Sequence, residues 1–191
     1  MKIEGGHFRL VNNWFDFVPK PSSEHPINYL EIGAFYGANV ISYALSHYAV
    51  HPESEIHCID PWIDYDDYDE YKGQQETIFE TFKRNLASNN VQDKVKYHRG
   101  FSYNLISTFP DEYFDIIYID GNHEPHYIIE DAVLSFRKLK KGGYLIFDDY
   151  GWQDASWAID GFVQSYKKCI EVIMPCHNTQ VFLRKLETYK T

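Results

Sequence analysis

The chain has 191 residues, 44% of them hydrophobic and 24% charged, which fits one globular domain with a sizeable core. Its formal net charge of −10 argues against a nucleic-acid partner, whose affinity would come mainly from Lys and Arg on phosphates. Three cysteines, Cys58, Cys169 and Cys176, form neither an even disulfide framework nor a close-spaced ligand pair, so a reducing, cytoplasmic setting is expected.

In chain order, residues 1–27 read as a cap segment rich in aromatics (Phe8, Trp14, Phe15, Phe17), with a short helix expected over the rim of the core. Glu4, His7 and Arg9 interrupt any apolar stretch there, so neither a signal peptide nor a membrane span is expected. Pro21 to Pro26 is a loop by its turn chemistry. The core, residues 28–184 of a single domain, then alternates strands and helices. Strands are expected at 28–32, 55–59, 95–98, 114–119 and 144–147, and helices at 38–48, 75–86, 105–109, 128–139 and 155–166. Lys140-Lys141-Gly142-Gly143 reads as the stop after the fourth helix. Strands at 170–174 and 180–183, joined through Pro175 to Asn178, have no helix between them and must pair antiparallel. The fold class is therefore α/β: a doubly wound, Rossmann-like, seven-stranded sheet, mostly parallel, with an antiparallel C-terminal hairpin.

Carboxylates close several of these strands. Asp120 follows the fourth, and Asp148 and Asp149 follow the fifth. Ligands of open α/β sheets bind outside the carboxyl ends of the strands, so all three reach one rim. Like charges placed together repel, and a hard divalent cation would relieve them. The alternative is that one Asp caps a helix and another bonds a loop amide.

Gly33 and Gly37 flank a tight turn after the first strand. Their Gly-x-x-x-Gly spacing misses the dinucleotide pattern, and Phe35 stands where its middle glycine would be. The turn either lets a ligand approach the backbone or simply packs a helix. Asp60, ending the second strand, is placed to accept both hydrogen bonds of a ribose diol, or merely to start a turn before Pro61. Phe101 and Ser102, after the third strand, offer an aromatic face and a hydroxyl.

The segments Tyr29 to Gly37, His57 to Trp62, Arg99 to Ser102, Tyr118 to His123 and Gly142 to Tyr150 resemble the class I S-adenosylmethionine-dependent O-methyltransferases. The resemblance is closest to the macrocin-type sugar O-methyltransferases and more distant to catechol O-methyltransferase. It implies that Glu31, Gly33, Phe35, Gly37 and Asn39 serve the methionine side of the methyl donor. Asp60 and Trp62 would meet ribose and adenine, and Phe101 and Ser102 the adenine. Asp120, counted with both groups, would hold Mg²⁺ (or Mn²⁺) together with Asp148 and Asp149. His123, three residues beyond Asp120, would be the general base, with His126 ranked second. The implied acceptor is a small molecule bearing a sugar hydroxyl. A catechol-type diol is the alternative, since either chelates the metal. A binding module without turnover is a further alternative, and the missing glycine disfavours a nicotinamide oxidoreductase. The acidic, tyrosine-rich loop at 61–72 matches no known substrate class, and a homo-oligomer is left open.

Overall fold

The computed structural model describes residues 1–5, 14–21, 24–64, 69–152 and 154–187. Part of the N-terminal cap, the start of the first loop and the middle of the acidic loop thus lie outside the described residues.

Seven strands form one sheet. They are β1 (Tyr29–Ile32), β2 (Ile56–Asp60), β3 (Val95–Arg99), β4 (Phe114–Ile119), β5 (Leu139–Phe147), β6 (Ile170–His177) and β7 (Gln180–Lys185). Their order is β3-β2-β1-β4-β5-β7-β6. The first five are parallel, and β7 runs antiparallel between β5 and β6. The crossovers carry α1 (Ala38–Leu45), α2 (Gln75–Ser88), the one-turn α3 (Ser102–Leu105), α4 (Pro125–Lys138) and α5 (Ala155–Tyr166).

Alternation along the strands builds two cores, one on each face. Tyr29, Cys58, Ile116, Tyr118, Ile146 and Phe182 pack with α1 and α2. Leu30, Ile59, Ile117, Ile119, Leu145 and Leu183 pack with α4 and α5. The described part of the cap does not lie over the rim. It is one turn whose Trp14 and Val18 are buried, Trp14 among the rings of Tyr29, Tyr43, Tyr48 and Tyr118.

Two boundaries differ from the sequence reading. The Lys140-Lys141-Gly142-Gly143 run belongs to β5, which begins directly after α4. No loop is needed because Lys185, buried in β7, donates to the carbonyls of Phe136 (2.9 Å) and Leu139 (2.5 Å) at the helix end. The last hairpin turns at Asn178-Thr179, with φ 49° and 74°, instead of at Pro175 to Asn178. Two consecutive positive φ angles match the twist of a two-residue hairpin, and Pro175 is tolerated because β6 is an edge strand. Among the described residues no helix is long and apolar enough to cross a membrane.

Candidate active site

A cavity of about 370 Å³ opens at the carboxyl ends of β1, β2 and β4, where the sheet order reverses. The turn after β1 forms its floor. Gly33 has φ 86°, and a Cβ there would sit 1.8 Å from the Asp120 carbonyl oxygen. A Cβ on Gly37 would meet the Phe82 ring at 2.8 Å. Both glycines are thus required by the chain's own packing, the second of the two readings of this turn.

Asp60 ties the turn down. Its Oδ2 accepts from the backbone N–H groups of Ala34 (3.0 Å) and Phe35 (2.9 Å), and its Oδ1 from Trp62 (2.8 Å). Burial raises its carboxyl above the ordinary value, and these three N–H groups oppose the rise. A carboxylate has about four acceptor sites, so roughly one remains for a ligand, where the sequence suggested two. Phe35, at φ 47°, is held by this bonding in a conformation that non-glycine residues seldom adopt.

Glu31 lies buried beside this floor. Its Oε2 accepts from Tyr29 Oη (2.6 Å) and Asn39 Nδ2 (3.0 Å). Burial pushes its carboxyl up to about 8 against those hydrogen bonds. The Oδ1 of Asn39 is buried with no hydrogen-bond partner, and Asn39 lines the cavity.

Asp120, His123 and Asp149 converge at the opposite end, with one ligand atom of each within 4.8 Å of the others. His123 Nε2 is 2.8 Å from Asp149 Oδ2, and its ring lies parallel to that of Trp152 (5.3 Å, 5°). Burial and the Asp148, Asp149 and Glu31 carboxylates push the Asp120 carboxyl well above the usual range. Asp149 reaches this cluster from a φ of 56°.

Phe101 and Ser102 line the cavity beyond Asp60, beside Asp131 of α4. Phe101 is 41% exposed and stacks on Tyr103 at 5.2 Å. Asp131 is hydrogen-bonded to Ser102.

The model of a methyltransferase domain family matches residues 30–150 of this chain. The chain belongs to that family. It is thus one of the S-adenosylmethionine-dependent class that its sequence resembles. An uncharacterized protein of Acanthamoeba polyphaga mimivirus is 30% identical over 154 residues, which are 80% of this chain but 62% of that protein. The methyltransferase also shares its fold with the O-methyltransferase NovP (TM-score 0.66, 20% identity, 85% of this chain and 73% of that one). A second structural relative is TomG from Streptomyces achromogenes, an O-methyltransferase in complex with SAM (TM-score 0.60, 16% identity, 84% and 73%).

The methyltransferase cavity brings together Glu31, Gly33, Phe35, Asn39, Asp60, Phe101, Ser102, Asp120, His123 and Asp149 among the residues singled out from sequence. Four others stand elsewhere. Gly37 packs against α2. Trp62 is buried, donates from Nε1 to the Phe35 carbonyl at 3.0 Å and packs on Phe79 and Phe82, so its ring faces the core and not a ribose. His126 is exposed on the first turn of α4, against Tyr127. Asp148 turns away from Asp120: its Oδ2 accepts from Tyr118 Oη, and its Oδ1 from Thr179 Oγ1 (2.8 Å) and the Asp149 N–H (2.8 Å). The converging trio therefore contains His123 where the sequence suggested Asp148.

Asp131, Tyr71, Tyr127 and Trp152 also line the cavity and were not singled out. Asp131 did carry a signal. It lies on the face of α4 that buries Ile128, Ala132, Ser135 and Phe136, where a carboxylate is out of place unless it has a partner.

Proposed function

We propose that this methyltransferase moves the methyl group of S-adenosylmethionine onto a hydroxyl of a small acceptor, a sugar or glycosylated molecule, with a divalent cation at Asp120 and Asp149. The reading rests on one observation: a single cavity joins a nucleoside-sized floor to a cluster of carboxylates and an imidazole. The unpartnered Asn39 Oδ1 suits the ammonium of the methionine moiety, and Asp60 has an acceptor site left for a ribose hydroxyl. Two carboxylates and an imidazole, mutually repelling in their charged forms on the acidic side, form a donor set that fits Mg²⁺ or Mn²⁺.

Bound there, the cation would lower the cost of deprotonating the acceptor hydroxyl. The methyl donor supplies an activated carbon, whose bond to sulfur breaks toward sulfur as the new bond to oxygen forms. The rest is work for the protein. Asp149 can accept from His123 Nε2–H, which fixes the tautomer and leaves Nδ1 as the basic nitrogen. The neutral imidazole then takes the acceptor's proton. Trp152 covers the His123 ring and limits water there. Asp148, held by Tyr118 and Thr179, fixes the start of the Asp149 turn.

The test is calorimetric binding of S-adenosylhomocysteine with and without Mg²⁺, then a methyl-transfer screen of glycosides and catechols. Binding together with chelator-sensitive transfer to glycosides is expected. Transfer to catechols alone would move the acceptor to aromatic diols. Binding without transfer to either class would favour the binding module.

A further inference from the structure

Asp131 is the one buried carboxylate of the cavity that the methyl-transfer chemistry leaves unused. It is 4% exposed, projects from a fourteen-residue helix, and lies against Gly121, where an added Cβ would be 3.4 Å from its Oδ2. Its hydrogen-bond partner, Ser102, lines the same end of the cavity as the exposed ring of Phe101.

We infer that Asp131 is a positioning residue: it takes the proton of the Ser102 hydroxyl in a hydrogen bond and leaves that oxygen as an acceptor toward the cavity, so that the site selects a purine with an exocyclic amino group over one with a carbonyl. The inference rests on the reading of this cavity as the S-adenosylmethionine site. An ionised carboxylate only accepts, and a serine hydroxyl has one proton to give. With that proton committed to Asp131, the Ser102 oxygen presents lone pairs alone. The amino group of adenine is a donor and matches it. The carbonyl of hypoxanthine is an acceptor and meets it lone pair to lone pair. A site built around one buried hydrogen-bonding direction discriminates strongly, because the wrong partner leaves a polar group unpaired. Burial raises the Asp131 carboxyl to about 7, so ionisation is complete only in mildly alkaline solution.

The experiment compares S-adenosylhomocysteine with S-inosylhomocysteine as ligands of the full chain at about pH 8.5, above the Asp131 pKa. The wild type is expected to prefer the adenosyl compound by about tenfold or more. In Asp131→Asn the amide can donate to Ser102 and release its hydroxyl proton toward the cavity. That variant should bind the adenosyl compound about tenfold more weakly, bind the inosyl compound no worse, and lose most of the preference. Ser102→Ala should lose the preference as well, and it provides the same test if Asp131→Asn fails to fold. A variant that weakens both ligands equally, with the ratio kept, would assign Asp131 a purely structural role and overturn the inference. A wild type that binds the adenosyl compound without preference would overturn it too, while leaving the cavity reading in place. A wild type that binds neither compound would remove both.

Discussion

The backbone N–H of Asp149 donates to the Asp148 side chain at 2.8 Å, and this bond turns two adjacent carboxylates to different tasks. Asp149 faces His123 and Asp120 in the cavity. Asp148 faces inward to Tyr118, whose hydroxyl also accepts from Gln180 Nε2 at 2.9 Å. The two substitutions should therefore differ. Asp149→Ala is expected to abolish turnover and weaken Mg²⁺ binding, with little change in melting temperature. Tyr118→Phe, which leaves Asp148 and Gln180 short of a buried partner, should destabilise the fold by about 1–3 kcal/mol. Thermal melts and calorimetric Mg²⁺ titrations separate the two effects, and equal Mg²⁺ affinity in wild type and Asp149→Ala would remove Asp149 from the metal site.

His123 should be needed for chemistry and not for the methyl donor. His123→Ala is expected to lower kcat by roughly 10²–10⁴ at unchanged S-adenosylhomocysteine affinity. His126→Ala should be close to wild type, since His126 is exposed and outside the cavity lining. A loss of Mg²⁺ affinity in His123→Ala, of the size seen in Asp149→Ala, would make His123 a ligand instead of the base.

Gly33→Ala should not fold to the native state. The new Cβ would fall 1.8 Å from a backbone oxygen of the neighbouring loop, at a φ that alanine resists. We expect insoluble protein or a loss of at least about 4 kcal/mol, measured by denaturant unfolding. A well-folded Gly33→Ala would show that the β1 and β4 loops part easily.

Glu31 makes stability depend on pH with a defined sign. Its carboxyl is raised to about 8 in the fold, against an ordinary value of roughly 4.3 when unfolded. The folded state therefore binds the extra proton. This contribution is fully present below the unfolded value and is lost as pH rises through the folded one. Glu31→Gln cannot ionise and should flatten the fall in melting temperature between about pH 5 and 9. Parallel pH profiles of wild type and variant would reject the raised carboxyl.

Much of this was legible in the chain. The fold followed from period and spacing, because strands buried on both faces, such as Phe114–Ile119, are continuous apolar runs between turn signals. Asp60, Asp120 and Asp149 could be placed at one rim because each ends a strand. Side-chain direction could not be read this way. Asp148 and Asp149 are alike in sequence, and what parts them is a positive φ and partners more than 25 residues away in the chain. Trp62 was drawn toward ribose by its neighbour Asp60, whereas its apolar ring found Phe79 and Phe82 of α2. The extension of β5 into a basic, glycine-rich run depended on Lys185, some forty residues downstream, which a local reading of a helix stop cannot include.

The position of β7 bears on the order in which a ribosome delivers the parts. The strand enters the sheet between β5 and β6, both of which precede it in the chain. With it come Thr179 and Gln180, the partners of Asp148 and Tyr118, and Lys185, which closes the end of α4. A nascent chain can make the five parallel strands and the glycine turn while synthesis continues. It cannot lock the acidic end of the cavity, because β5 keeps an open edge until β7 emerges. Until then β6 has no neighbour to pair with, and that open edge is the surface a chaperone would have to shield.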